Sequence, residues 1–484
     1  MPYTACGRLL SGRSAKGREG RQTIESNNHS IINAPGPNPP SKCVLQEVMR
    51  RCVPLSSPGP SEGIVNQLSR FILLSAITAC VVVLILTILP PSRKSEDKPT
   101  KMLPNMTGSY GRWLADKVLG DGPAQLSFRT DRWKNLKTWQ GAGRQRVLEL
   151  IAPVNLGGEP EVKVESQHTH DGLHVEHLSW QLPNGPRTEA VFLKPAGATG
   201  RLPAILGLHD HSGDKFMGWR KIARTDDQPW KTQETHQVRA YAGVAWANEI
   251  AKRGYAVLVH DTFPFGSRRV RVADVPEELR AGAVDPEPSD VEGIAKYNAF
   301  AAIHENTIEK SLLSAGTTWP GVYLVEDQRA LDVLCARADV DATRVGCAGL
   351  SGGGMRTVFL GGLDDRIRVA IPVGFMTTWR DFVLDKSSHH TWMTYVPLLP
   401  KDLDFPEILA LRAPAATLVQ NCNEDPLYTL SEMKRADTML RETFEKGGAA
   451  ERYRSSFYPG GHKFDREMQA EAFSCFDEYL KGNR

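Results

Sequence analysis

The chain has 484 residues, 41% of them hydrophobic and 24% charged, with a formal charge of +3. This is ordinary globular composition, long enough for one large domain or two smaller ones, and not that of a repeat, collagenous or wholly disordered chain. The charge is scattered and no basic run is interleaved with aromatic residues, which argues against a nucleic-acid partner.

Residues 1–63 are rich in Gly, Ser, Pro and Asn and show little apolar periodicity. They cannot bury a core, and disorder is expected there. Residues 71–89 are 19 residues without a charge. At ~1.5 Å rise per residue a helix of that length crosses the hydrocarbon core of a bilayer. Pro90 and Pro91 stop it, and Arg93, Lys94, Lys98 and Lys101 follow. A transmembrane or signal-anchor helix is the expectation, giving a membrane-anchored or exported protein. A cleaved signal behind a start at Met49 and a buried soluble helix are the alternatives. Arg50, Arg51 and Arg70 balance the basic residues on the far side, so orientation stays open. Residues 90–108 read as a linker, and residues 109–484 as one domain.

Within that domain, helical patterns over 110–152 precede three short runs that predict an antiparallel start: 162–164, 173–178 and 189–193. Residues 203–209 predict a buried strand. A helix over 241–253 and a strand over 256–260 follow. Then come a helix over 322–336, a strand over 344–348 and a helix over 355–361. Residues 368–373, 415–420 and 453–457 predict further strands, with helices over 431–445 and 466–481. Continuous apolar strands alternating with helices mean a mostly parallel sheet covered on both faces, an α/β fold. Residues 266–318 and 375–412 interrupt the alternation and are expected to cap the edge where the strands end.

Cys6, Cys43, Cys52 and Cys80 precede the domain, and Cys335, Cys347, Cys422 and Cys475 are dispersed within it. This spacing carries no zinc signature and no disulfide framework. Cys347 and Cys422 fall on apolar runs and read as buried small hydrophobes.

The motif with most chemical content is Gly349-Leu350-Ser351-Gly352-Gly353-Gly354, between a predicted strand and a predicted helix. A serine at such a turn is exposed only if its neighbours are tiny. Its hydroxyl becomes a nucleophile when a base, an orienting acid and an oxyanion hole surround it. His462, on the Gly-rich loop after the last predicted strand, is the candidate base. Asp425, on the loop after the preceding strand and stiffened by Pro426, is the candidate acid, with Glu424 as the alternative. The backbone N–H of Gly352 and that of His211, or of Asp210, are the candidate oxyanion donors. The clusters His209, Asp210, His211 and His168, His170, His174, His177 would be the places to look for a metal. No carboxylate-rich motif completes a ligand set at either, and neither metal nor cofactor is expected.

These residues resemble the dienelactone hydrolase-like and acetyl xylan esterase-like branch of the α/β-hydrolase superfamily. The resemblance covers roughly residues 160–484. It rests on the 208–213 loop, the 261–266 turn, the elbow around Ser351, the 421–427 loop and the 460–464 loop. It implies an α/β-hydrolase fold with cap insertions, Ser351 as nucleophile, His462 as base, Asp425 as acid, and oxyanion donors at His211 and Gly352. Serine stands where dienelactone hydrolases proper carry cysteine, which favours cleavage of a carboxylic ester, for example deacetylation of a carbohydrate. A prolyl oligopeptidase-type serine peptidase and a catalytically inactive membrane-tethered binding protein are the rival expectations. Trp319, Trp379 and Trp392 (with Tyr395) lie in the cap segments and could form a sugar platform, or cap core.

Overall fold

The short apolar runs become nine strands. They are β1 (Val162–His170), β2 (Leu173–Trp180), β3 (Thr188–Pro195), β4 (Leu202–Gly207), β5 (Ala256–His260), β6 (Val340–Leu350), β7 (Ile367–Val373), β8 (Ala416–Cys422) and β9 (Tyr453–Tyr458). The computed structural model describes residues 105–482. The segments expected at 1–63 and 71–89, and most of the 90–108 linker, lie outside the described residues. Among those described, no helix is long and apolar enough to cross a membrane.

The strands form one sheet in the order β1-β2-β3-β5-β4-β6-β7-β8-β9. β1, β2 and β3 pair antiparallel, and β3 joins β5 antiparallel. From β5 through β4, β6, β7 and β8 to β9 the pairing is parallel. β4 pairs with β5 on one side and β6 on the other. Chain order therefore reverses direction at β4, and the loops after β4 and β6 diverge to opposite faces, opening a crevice at that point.

Because successive strand residues face opposite sides, an apolar run serves two cores at once. Ala204, Leu206, Ala256 and Leu258 belong to one core, while Ile205, Val257 and Val259 belong to the other. The first core is closed by helices α1 (Leu136–Ile151), α5 (Trp319–Cys335), α6 (Gly352–Leu363), α7 (Phe405–Ala410) and α8 (Leu430–Lys446). The second is closed by α2 (Lys231–Tyr241), α3 (Trp246–Lys252) and α9 (Arg466–Phe476). Side chains satisfy several free helix starts: Asn135 accepts from Thr138 N, Thr318 from Gly321 N and Asp465 from Met468 N. Cys347 and Cys422 are buried, and burial pushes their thiols up to about 12 and about 11.

Two expectations change. The helix expected over 241–253 begins only at Trp246, and an unexpected helix, α2, ends at Tyr241 where it was to start. Ala242 and Gly243 adopt φ of 54° and 77°, which ends α2 and reorients the chain into α3. The interruption at 266–318 contains a 24-residue helix, α4 (Val291–Ser314), capped by Asp290. α4 sits on a small core of its own with Phe216, Met217, Val272 and Tyr297. The interruption at 375–412 divides: residues near 389–393 reach the sheet edge, whereas Phe405, Ile408 and Leu409 are fully buried in the first core.

Glu309 on α4 is 3% exposed, and its Oε2 has no hydrogen-bond partner. Burial pushes its carboxyl up to about 7. In both folded and unfolded chain it is neutral at pH 4, and above pH 7 the folded chain must hold it ionised. Stability is therefore lost as pH rises from about 4.5 to about 7. Glu309→Gln is expected to leave urea stability unchanged at pH 4 and to raise it at pH 8, by up to about 3 kcal/mol.

Candidate active site

Ser351 stands between β6 and α6 with φ 57° and ψ −120°. A non-glycine residue pays strain for that conformation, and the surroundings enforce it. Its N–H donates to Val373 O at 2.8 Å, and its own carbonyl accepts from Met355 N at 2.9 Å. The flanking glycines are dictated by contact with β4. A Cβ on Gly349 would stand 2.3 Å from Leu208 O, and one on Gly353 would stand 2.1 Å from the same oxygen. Both approaches are impossible for a larger residue, so the turn presses directly against the end of β4.

The loop after β4 is held as firmly. Asp210 is buried and accepts from His236 Nε2 at 3.1 Å and from the Tyr241 and Ser212 hydroxyls. Burial acts to raise its pKa, but His236, Lys221 and these donors outweigh burial and hold it well below the usual range. Buried Lys221 donates to Asp210 O at 2.6 Å and His211 O at 3.0 Å, and its ammonium lies 4.3 Å from the Phe265 ring centre. Burial lowers the Lys221 ammonium to about 8. With both carbonyls drawn toward Lys221, the His211 amide nitrogen faces residue 352: a Cβ on Gly352 would stand 3.0 Å from it. Asp210 anchors the loop and His211 carries the amide nearest the elbow, which separates the two candidate donors geometrically.

The loops after β8 and β9 deliver the remaining pair. Asn423 N donates to Tyr458 O at 2.8 Å and Glu424 N to Gly460 O at 3.1 Å, so the two loops are zipped together. Asp425 Oδ2 lies 2.6 Å from His462 Nδ1, while Leu427 N donates to Oδ1 at 3.0 Å. Glu424 accepts from Gly460 N and does not touch the histidine. The structure therefore pairs His462 with Asp425, not with the alternative. Gly374, at φ 55°, backs the imidazole, since a Cβ there would stand 3.1 Å from His462 Cε1. His462 Nε2, the nitrogen not facing Asp425, has no protein partner.

Ser351, Gly352, His211 and His462 line one cavity of about 290 Å³. Its other walls are mostly apolar: Phe265, Tyr323, Met355, Phe375, Met393 and Leu427. His390 also lines it and donates from Nε2 to Leu427 O at 2.8 Å; burial lowers its pKa to about 4, so it is neutral near pH 7. Beneath Ser351, Arg356 of α6 holds Asp327 of α5 through Nε at 3.1 Å and touches His260 at 3.2 Å. This buried network ties α6 to α5 and β5.

The comparisons with known proteins agree with this architecture. No family model matches the chain. YtaP of Bacillus subtilis, a candidate hydrolase, is 25% identical over 307 residues, 63% of this chain and 88% of that one. A candidate acetyl xylan esterase from Bacteroides fragilis superposes with a TM-score of 0.52 at 17% identity, covering 72% of this chain and 82% of its own. A glucuronoyl esterase from Solibacter usitatus gives 0.50 at 16% identity, covering 74% and 97%. The chain has the α/β-hydrolase fold.

In that fold the structure does not bring the three expected tryptophans to the cavity. Trp319 and Trp379 are buried in the first core: Trp319 stacks on Phe263, and Trp379 packs against Phe405 and donates to Leu403 O at 3.0 Å. Trp392 is 47% exposed beside Tyr395. The histidines of β1 and β2 serve locally: His168 bonds Thr225 O, His174 pairs with Glu176, and His177 stacks on His168. Among the described residues, no group of three His, Cys, Asp or Glu side chains is arranged to hold a metal. Residues absent from the sequence reading include Lys215, Lys221 and Glu305, all buried beside the cavity. A charged residue just outside a glycine-rich loop carries no periodic signal, and only the packed structure shows it.

The 2.6 Å contact predicts a far-downfield imidazole N–H proton resonance for His462. Asp425→Asn is expected to abolish or strongly shift that signal in one-dimensional proton NMR. Glu424→Gln should leave it in place; loss of the signal in that variant alone would reverse the assignment of the acid.

Proposed function

We propose that this protein is a serine hydrolase of carboxylic esters. The observation that carries the reading is one cavity wall bearing Ser351 on a strained turn and a His462–Asp425 pair with a free imidazole nitrogen. His462 Nε2 takes the Ser351 proton as Oγ attacks the ester carbonyl. Asp425 keeps the tautomer with the proton on Nδ1 and stabilises the imidazolium. The backbone N–H groups of Gly352 and His211 receive the developing oxyanion, assisted by the N-terminal end of α6. The imidazolium protonates the departing alcohol, leaving an acyl-serine. Water, deprotonated by the same nitrogen, then releases the acid.

The apolar walls and modest volume favour a short acyl group in the cavity. The names of the Bacteroides and Solibacter neighbours support an ester carried on a carbohydrate, with deacetylation as the specific form of the proposal. Residues 71–89 are proposed to tether the enzyme to a membrane, the sense of insertion being open. Alkaline carbonate extraction of the full chain is expected to leave it in the membrane pellet, and release into the supernatant would remove that part of the proposal.

Wild-type protein is expected to hydrolyse a chromogenic acetyl ester and to be labelled by a fluorophosphonate. Ser351→Ala should lose both while keeping its thermal unfolding midpoint. Turnover that survives this substitution would sink the assignment. Aminoacyl amides should be cleaved far more slowly than acetyl esters; the opposite order would favour a peptidase.

A further inference from the structure

Glu305 lies in the middle of α4, 94 positions from His211, yet its carboxylate joins three separate segments. Oε1 accepts from His211 Nε2 at 2.8 Å and pairs with the ammonium of Lys215. Oε2 accepts from Thr391 Oγ1 at 2.6 Å. Glu305 is 5% exposed and Lys215 is 1% exposed. On its other side the His211 ring accepts at Nδ1 from Gly213 N at 3.0 Å, which places the ring proton on Nε2. Both ring nitrogens of His211 are thus committed, one to its own loop and one to the cap.

The consequence is geometric. A residue whose side chain is fixed at both nitrogens and whose carbonyl is held by Lys221 has little freedom left at its amide. That amide is the one facing Gly352. An oxyanion donor is effective only if it is already oriented when charge develops, since reorientation during the reaction consumes the stabilisation it offers. Thr391 and His211 both line the cavity, so the same carboxylate also fixes one wall of it.

We propose that Glu305 is a positioning residue that uses the cap helix to preorganise the oxyanion hole through the side chain of His211. The inference rests on the serine-hydrolase reading. It assigns the 266–318 insertion a part in transition-state stabilisation in addition to covering the site. Lys215 supplies the counter-charge that lets the carboxylate remain ionised in a buried place, and Thr391 fixes its second oxygen. Burial acts to raise the Glu305 pKa, but His211 and Lys215 outweigh burial and hold it at about 2. The latch is therefore set throughout the neutral range.

The test compares two variants that both lack the buried ion pair. Lys215→Met with Glu305→Gln keeps an oxygen that can accept from His211 Nε2–H. Lys215→Met with Glu305→Leu removes it. Both should unfold at similar temperatures, which separates the effect from loss of fold. On the acetyl ester, the Gln variant should retain kcat within about fivefold of wild type. The Leu variant should lose about 30- to 100-fold in kcat with KM changed less than about threefold, a fraction of the loss expected on deleting an oxyanion donor outright. Fluorophosphonate labelling should slow in parallel. Adding His211→Ala to the Leu variant should cost nothing further, because the link is already cut. Equal kcat in the two variants, or a full additive loss on adding His211→Ala, would overturn the inference while leaving the serine-hydrolase reading intact. Wild-type protein that neither turns over nor labels would overturn both.

Discussion

The contact on which the site depends is the approach of two glycine α-carbons to a single carbonyl oxygen. Leu208 O, at the end of β4, sits where a side chain on either Gly349 or Gly353 would have to go. That closeness forces Ser351 into a positive-φ turn, because the chain must leave β6 and enter α6 within one residue. It also sets the elbow against the loop that begins at Leu208. The backbones of His211 and Gly352 come this close only because nothing larger than hydrogen separates them. The sheet topology makes the contact available, since β4 and β6 are neighbours at the point where strand order reverses.

Buried charge holds the rest in register. Arg356 and Asp327 are each at most 2% exposed, as are His260, Lys215 and Lys221. Taking such ions out of water is expensive, and a pair repays it only with good geometry and full hydrogen bonding. Here the geometry is met: Arg356 reaches Asp327, His260 and His209 O, and Lys221 reaches two carbonyls and an aromatic face. The gain over an apolar core of the same shape is small. What such networks supply is intolerance of alternatives, because displacing one partner strands the other at a cost of about 3–5 kcal/mol. The helix after Ser351 and the loop after β4 are both built on arrangements of this kind.

Sequence legibility follows from the same division. The elbow, the His462 loop and the Asp425 loop were readable because each needs small or rigid residues at fixed offsets from a strand end, and those residues are rare in combination. The parallel strands were readable because residues such as 256–260 are apolar on both faces. The choice between Asp425 and Glu424 was open in sequence, since both lie on the same loop; the pairing of β8 with β9 turns Asp425 toward His462 and Glu424 toward Gly460. α4 escaped because its buried positions include Glu305 and Glu309 as well as Tyr297 and Phe300, so no clean apolar stripe marks it. The tryptophans stayed undecided in sequence for the opposite reason. Large aromatic residues in an irregular segment read equally as platform or as core, and the 375–412 segment turns out to feed the main core through Trp379 and Phe405.

The two halves of the site therefore differ in how they are specified. Ser351, His462 and Asp425 come from strand ends of one sheet, and their relative placement follows from the strand pairing. The His211 side chain is held by Glu305 of α4, which packs on a separate small core, and the same carboxylate reaches Thr391 of the second insertion, whose apolar residues join the first core. Such an arrangement lets α4 change without disturbing the core beneath Ser351, and it ties the polar wall of the cavity, with Thr391 and His211, to the insertions. Of the apolar walls, Phe375 follows β7 and Leu427 follows β8 on the Asp425 loop, whereas Met393 comes from the second insertion.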